Sequence, residues 1–301
     1  MRFCAKTARL VLAGLLLFNS TARGKEVGAL PPLTALVEQV DQAYRKLPAS
    51  LADYNVVVRE VCTEMEVEGP RQFVADLEKA GVEFDPPKVS LPMRHIQIVA
   101  GRPETSGKQI GVSLVVGYDT RDAPLYPPEG LFVDSTAVYE RVNGRPTFLI
   151  LWNKSDILLN GRAYSLASNH NAAGDHLKLR AKHFAAPGFA GMLRPLLASR
   201  KPQIYLLDPY DRNKIPLLMV HGLQSTPVAF AALVNALRND PEVRAKYQIW
   251  QFYYASGTPV LLNGLELRDS LKETLHMIDP KDRDAATKRI VVLGHSMGGV
   301  I

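Results

Sequence analysis

The chain has 301 residues, 47% hydrophobic and 22% charged, enough for one large domain or two ordinary ones with a buried core. Those proportions are the ordinary ones for a globular protein and exclude disordered, fibrous and multi-span membrane chains. The formal net charge of +6 is spread along the chain, and no Lys/Arg block is dense enough for a nucleic-acid surface.

Residues 1–22 stand apart. Arg2, Lys6 and Arg9 precede a nine-residue apolar run, LVLAGLLLF, and then the small residues Ser20, Thr21 and Ala22. Basic, apolar and small segments in that order predict an export signal, directing the protein to the periplasm, the cell envelope or the medium. The apolar run is far shorter than the ~20 residues that span a bilayer. Cleavage would remove three basic groups and no acid, leaving 33 against 30 and a net charge of +3. Cys62 would then be the sole cysteine, without a disulfide partner, and is expected to act as a small buried hydrophobe.

Residues 23–90 read as a helical segment. Leu33, Leu36, Val37, Val40 and Tyr44 recur at the helical interval, as do Leu51, Tyr54, Val58, Val61, Cys62 and Met65. A third helix is predicted from Arg71 to Ala80, stopped by Gly81, before Asp85-Pro86-Pro87 breaks the pattern. Residues 91–200 read as a β-rich region followed by a connecting helix over 187–200. The runs at 95–100, 110–117 and 147–152 are short and apolar or alternating, and strand character is expected to extend to Leu179. Asn143-Gly144 and Asn160-Gly161 are hairpin signals, so the pairing is predicted to be mostly antiparallel. The pattern leaves open whether this region is a small domain or an elaborated opening of the main sheet.

From residue 201 the pattern changes again. QIYLL at 203–207 is a strand, as is Pro216–Val220. Ser225 or Thr226 is placed to cap a helix with Pro227 near its start and Phe230, Leu233, Val234 and Leu237 on its buried face. Gln248–Tyr254 is the next strand. A helix follows with Leu267, Leu271, Leu275 and Ile278 in one stripe, then a short strand from Arg289 to Leu293. Such alternation predicts an α/β architecture with a mostly parallel sheet over 201–301.

The chemistry is concentrated at Gly294-His295-Ser296-Met297-Gly298-Gly299, directly after that last strand. A serine between glycines two positions away on either side is the nucleophile-elbow pattern. The turn from strand to helix is sharp, and a Cβ at Gly294 or Gly298 is expected to clash. The hydroxyl of Ser296 is lifted off the sheet, and the N–H of Met297 points at the substrate oxygen. The three fixed positions would arise by chance roughly once in 3,000 windows, so context decides their meaning. That context is Val220-His221-Gly222-Leu223, at the end of another apolar strand. Gly222 would let the backbone approach the substrate, and Leu223 is the candidate for the second oxyanion-hole N–H.

HGLQSTP followed by GHSMGG resembles the bacterial α/β-hydrolases of the lipase and esterase kind over residues 215–301. The resemblance implies carboxylic-ester hydrolysis through an acyl-enzyme on Ser296. It implies no cofactor, with a small-molecule or lipid ester as partner and peripheral contact with membrane lipid. Thioesterase, peptidase or acyltransferase chemistry on the same elbow, or a non-catalytic binder, remain alternatives at this point. In that family the triad acid and histidine follow the serine, and only five residues follow Ser296. The chain as written is therefore expected to be inactive, with an exposed sheet edge. His221 is expected to make a structural hydrogen bond and His295 to point aside and pack locally. His95, His170, His176, His183 and His276 are expected at the surface or in loops, and no metal site is expected. Phe252-Tyr253-Tyr254 could border an acyl pocket or simply pack in the core.

Overall fold

The computed structural model describes residues 31–99, 109–181 and 201–301. The expected export segment and the connecting helix over 187–200 lie outside them. Three helices open the described chain, α1 (Leu33–Arg45), α2 (Leu51–Glu68) and α3 (Pro70–Lys79). Each buries the face that its spacing marks out: Leu36, Val40 and Tyr44 on α1, Tyr54, Val58, Val61 and Met65 on α2, Phe73 and Leu77 on α3. Cys62 is fully buried on α2, and desolvation drives its thiol pKa far up, so it is packing material.

These helices cover one face of a five-stranded sheet in the order β1-β6-β5-β4-β2. Its strands are β1 (Glu83–Asp85), β2 (Met93–Ile98), β4 (Val112–Tyr118), β5 (Leu131–Val142) and β6 (Arg145–Trp152). Pairing is antiparallel except between β1 and β6. A small sheet, β3-β8-β7, stands beside it, with β3 (Gln109–Ile110), β7 (Asp156–Leu159) and β8 (Arg162–Leu166). Both hairpin signals form tight turns with positive φ at each central residue: 51° and 80° for Asn143-Gly144, 49° and 74° for Asn160-Gly161.

The β-rich region thus makes sheets of its own, and three of its details depart from the sequence reading. β1 falls inside the segment read as helical. It is three residues long and holds its place through parallel pairing of Phe84 with Phe148, which no local signal announces. The expected run at 110–117 breaks at Gly111, where φ is 88° and a Cβ would meet Ala137 O at 2.5 Å. Strand character also does not reach Leu179, because residues Ala172–Ala181 form a helix, α4. That helix lies between β4 and β5 on one side and the helix α5 (Ala231–Asn239) on the other, with Ala173 buried beside Val115 and Phe132.

Residues 201–301 build a second sheet, β12-β10-β11-β9, from β9 (Gln203–Leu206), β10 (Ile215–Val220), β11 (Tyr247–Tyr253) and β12 (Val291–Gly294). β10 is parallel to both neighbours and β9 is antiparallel to β11. Pro216 to Val220 are buried without interruption, as in a central strand covered on both faces. On one face Leu218, Val220, Trp250 and Phe252 meet the Leu267, Leu271, Leu275 and Ile278 stripe of α7 (Val260–Ile278). On the other, Met219 and Ile249 meet Phe230 and Val234 at the start of α5 (Ala231–Asn239), which α6 (Pro241–Lys246) follows. Leu233, expected on that buried face, is 37% exposed instead. The helix opens with a 3₁₀ turn over Pro227–Phe230, and neither Ser225 nor Thr226 caps it with its side chain. The molecule is therefore mixed α/β, with mixed parallel and antiparallel sheets. Among the described residues no helix is long and apolar enough to cross a membrane.

Candidate active site

β10 and β12 run parallel side by side, Val220 opposite Gly294, so the turns after them meet at one rim of the sheet. The His295 N–H donates to Val220 O at 3.0 Å, extending the pairing one residue past the strand. Ser296 follows with φ at 54° and opens a single 3₁₀ turn to Gly299, held by Gly298 N–H to His295 O at 3.0 Å. Its side chain is exposed.

Six non-glycine residues among those described have positive φ. Four are Asn or Asp, which tolerate that region. The other two are Ser296, at 54°, and Gln224, at 55°, one in each of the two facing turns. Backbone strain of this kind persists only where the surroundings enforce it, and it clusters at working sites.

The glycines show how closely the turns are packed. None of Gly222, Gly294 and Gly298 has positive φ, so what they supply is room. A Cβ on Gly298 would run into Val220 O and lie 2.6 Å from His221 O. One on Gly294 would run into Gly298 O and lie 2.6 Å from Gly299 Cα. One on Gly222 would sit 3.0 Å from Ser296 Cβ and 3.1 Å from His295 O, which puts the two turns in direct contact. Gly299 is different, with only Gly294 O nearby at 3.9 Å.

No protein-family model, no curated protein and no solved structure matches this chain. The site is described by its own geometry.

His221 is buried, its ring stacked on Tyr254 with centroids 4.2 Å apart and planes inclined by 16°. The Nδ1–H donates to Gly222 O at 3.0 Å, and Nε2 has no protein partner. Burial lowers its pKa to about 4, against the pull of the neighbouring carbonyl contacts. It is neutral at pH 7, and no hydrogen bond joins it to Ser296. The Tyr254 hydroxyl donates to His221 O at 2.5 Å, and Tyr254 in turn stacks on Phe252. That ladder of rings fixes the first turn from beneath, so Phe252 and Tyr254 act as core support.

Leu223 is half exposed, and Met297 is partly buried against the α7 side of the sheet. Among the described residues neither backbone N–H is committed to an acceptor, while the neighbouring Gln224 N–H donates to Ser256 Oγ at 3.0 Å. Two free donors beside an exposed serine hydroxyl can receive a developing oxyanion. His295 turns away from the serine, its ring edge-on to Phe230 at 6.5 Å.

Among the described residues no histidine or carboxylate is hydrogen-bonded to Ser296, and the remaining histidines lie elsewhere. His95 and His176 are not loop residues. They stand on β2 and α4 with Nε2 atoms 3.3 Å apart, both beside Phe132. Among the described residues no group of three or more His, Cys, Asp and Glu side chains gathers as a metal site would require. His170 is partly buried in a loop, and His276 is exposed in the last turn of α7. His183 lies outside the described residues. Sequence reasoning missed Tyr254 as the support of the first turn and Ser256 as the anchor of Gln224, since both are set only by folding.

Proposed function

We propose that residues 201–301 are the nucleophile-bearing half of an α/β-hydrolase-type sheet and that Ser296 attacks carboxylic esters. The observation that carries this reading is the facing pair of strained turns, with Ser296 at φ 54° in one and Gln224 at φ 55° in the other, packed through Gly222. The strand order supports it as well, since the elbow strand β12 is parallel to and beside β10, which carries the second turn.

In the reaction Ser296 Oγ adds to the ester carbonyl carbon as a general base takes its proton. The tetrahedral oxyanion accepts hydrogen bonds from the N–H groups of Met297 and Leu223. Collapse expels the alcohol, which takes the proton back from the base, and water then releases the acid from the acyl-serine by the same steps. His221 is not that base, being buried and neutral. In this fold the base and its orienting acid come later in the chain than the elbow.

Apolar side chains exposed at the same rim favour an ester with an apolar acyl group. Leu223 and Val228 are 50% and 46% exposed after β10, and Leu261 and Leu262 are 84% and 49% exposed at the start of α7. The same surface suits peripheral contact with lipid at the cell envelope.

The test uses the complete coding frame that contains these residues, expressed as wild type and as Ser296→Ala. A fluorophosphonate probe is expected to label the wild type alone, with hydrolysis of p-nitrophenyl butyrate faster than of the acetate. Labelling or turnover that survives in Ser296→Ala would remove the nucleophile assignment.

A further inference from the structure

A cavity of about 260 Å³ lies between the two sheets, walled by the β5–β6 side of the first and by the 208–214 loop, α5, α6 and β11 of the second. Lys214 and Tyr247 place it at the amino ends of β10 and β11. Ser296 is at the carboxyl end of the same sheet, about 20 Å away along the six residues of β10 at ~3.3 Å each. The cavity is therefore separate from the proposed nucleophile.

Its lining holds four Lys and Arg side chains, Lys154, Lys214, Arg238 and Arg244, against three carboxylates. Arg238 is 8% exposed and already engaged, its Nη2 donating to Asp208 Oδ1 at 2.8 Å and to Leu207 O at 3.0 Å. Arg244 is partly buried. Its Nη1 donates to Arg238 O at 2.7 Å, and among the described residues no Asp or Glu pairs with it. Lys214 Nζ reaches only the amide oxygen of Asn153, at 3.1 Å. His170 completes the group, with its Nε2 3.3 Å from Ser168 Oγ, and Lys154 stands exposed at the mouth.

Three acids share the lining with them. Asp208 is held by Arg238. Asp211 Oδ1 accepts the Asn213 N–H at 2.9 Å and its charge favours protonated Lys214. Asp134, on β5, accepts the Ala173 N–H at 2.6 Å, and desolvation lifts its pKa to about 7, which leaves it largely uncharged below about pH 6. Burial, and with it the charge of Arg244, lowers the pKa of both His170 and Lys214, while Asp208 and Asp211 pull that of Lys214 back up. A guanidinium without a carboxylate, an ammonium and hydroxyls around a small void match a tetrahedral oxyanion.

We propose that this cavity binds a phosphate group, as the free ion or as a small phosphate monoester, through Arg244 and Lys214 with His170 and Ser168 beside them. The volume admits one such group and a short organic stem, and no larger ligand.

The experiment is calorimetric titration of the full chain with sodium phosphate at pH 6.0, the ionic strength being held with sodium chloride. Saturable binding is expected below about 10 mM. Arg244→Gln and Lys214→Gln are each expected to weaken it tenfold or more, and Lys272→Gln, an exposed lysine on α7, to leave it unchanged. Glycerol phosphate is run beside the free ion; tighter saturation assigns the cavity to a monoester, and equal or weaker saturation to phosphate itself. If either Gln variant fails to fold, by its circular dichroism, the wild-type titration decides alone. Absence of saturation by the wild type, or undiminished binding by a folded Arg244→Gln, Lys214→Gln double variant, would overturn the proposal.

Discussion

Gly298→Ala isolates the steric demand of the elbow. The added methyl would overlap Val220 O and lie 2.6 Å from His221 O and 2.7 Å from Val220 C, all of them backbone atoms. They have little freedom to retreat, because Val220 O already accepts the His295 N–H and His221 O accepts the Tyr254 hydroxyl. Overpacking a well-filled site costs about 1–3 kcal/mol, and with a rigid backbone on the other side the upper end applies. A loss of about 3 kcal/mol lowers the folding equilibrium constant more than a hundredfold. Gly299→Ala is the internal control. Its nearest neighbour is Gly294 O at 3.9 Å and its φ is not positive, so it should be neutral or gain about 0.4–1 kcal/mol by restricting the unfolded chain. Gly222→Ala falls between, at about 1 kcal/mol, with contacts at 3.0 Å and 3.1 Å across the two turns. Urea unfolding followed by tryptophan fluorescence ranks the three. A Gly299→Ala variant as destabilised as Gly298→Ala would refute the steric account of the elbow.

Further outcomes can be checked on the same chain. Ser296→Gly should be more stable than Ser296→Ala by about 1 kcal/mol in urea unfolding, because only glycine relieves the positive φ. Tyr54→Phe should cost about 2–4 kcal/mol in the same assay, since the buried hydroxyl donates to Tyr139 O and accepts from Tyr139 N–H, both at 2.7 Å. Asp134 keeps its proton in the folded chain up to about pH 7 and loses it near 3.8 when unfolded, so its contribution to stability is present at low pH and fades as pH rises from about 4 to 7. His221, lowered to about 4 from 6.5, acts in the opposite sense: its contribution fades as pH falls between those values. Asp134→Asn should therefore expose a loss of stability on acidification that the wild type masks, and a variant with the wild-type pH profile would dismiss the Asp134 assignment.

Much of the fold was legible where local chemistry decides the outcome. The stripes of α1, α2 and α7, the two Asn-Gly hairpins and the alternation after residue 215 each follow from residue spacing or from a turn that only certain residues make. The residues of the two site turns were legible as well, through the glycines at 222, 294 and 298, although the contacts that need Gly222 and Gly298 join turns far apart in the chain. What could not be read depends on distant partners. β1 exists because β6 offers it an edge. The helical face of α4 is weakly marked in its sequence, and what holds it is Ala173 beneath Asp134 and Asn235 Nδ2 donating to Asp175 at 3.2 Å. The charge cluster around Arg244 draws on five separate segments and has no linear signature.

The first hydrophobic core is closed by residues between Leu33 and Leu166, and none of its buried members comes from the second sheet. Order of synthesis gives that separation a use. A chain emerging with its amino end first can bury this core while the residues around Ser296 are still to be translated. The strained serine turn, with Val291 and Val292 exposed on the strand before it, is then made after that core, beside a platform that already stands. The valine edge thus emerges only when a folded neighbour can stand beside it.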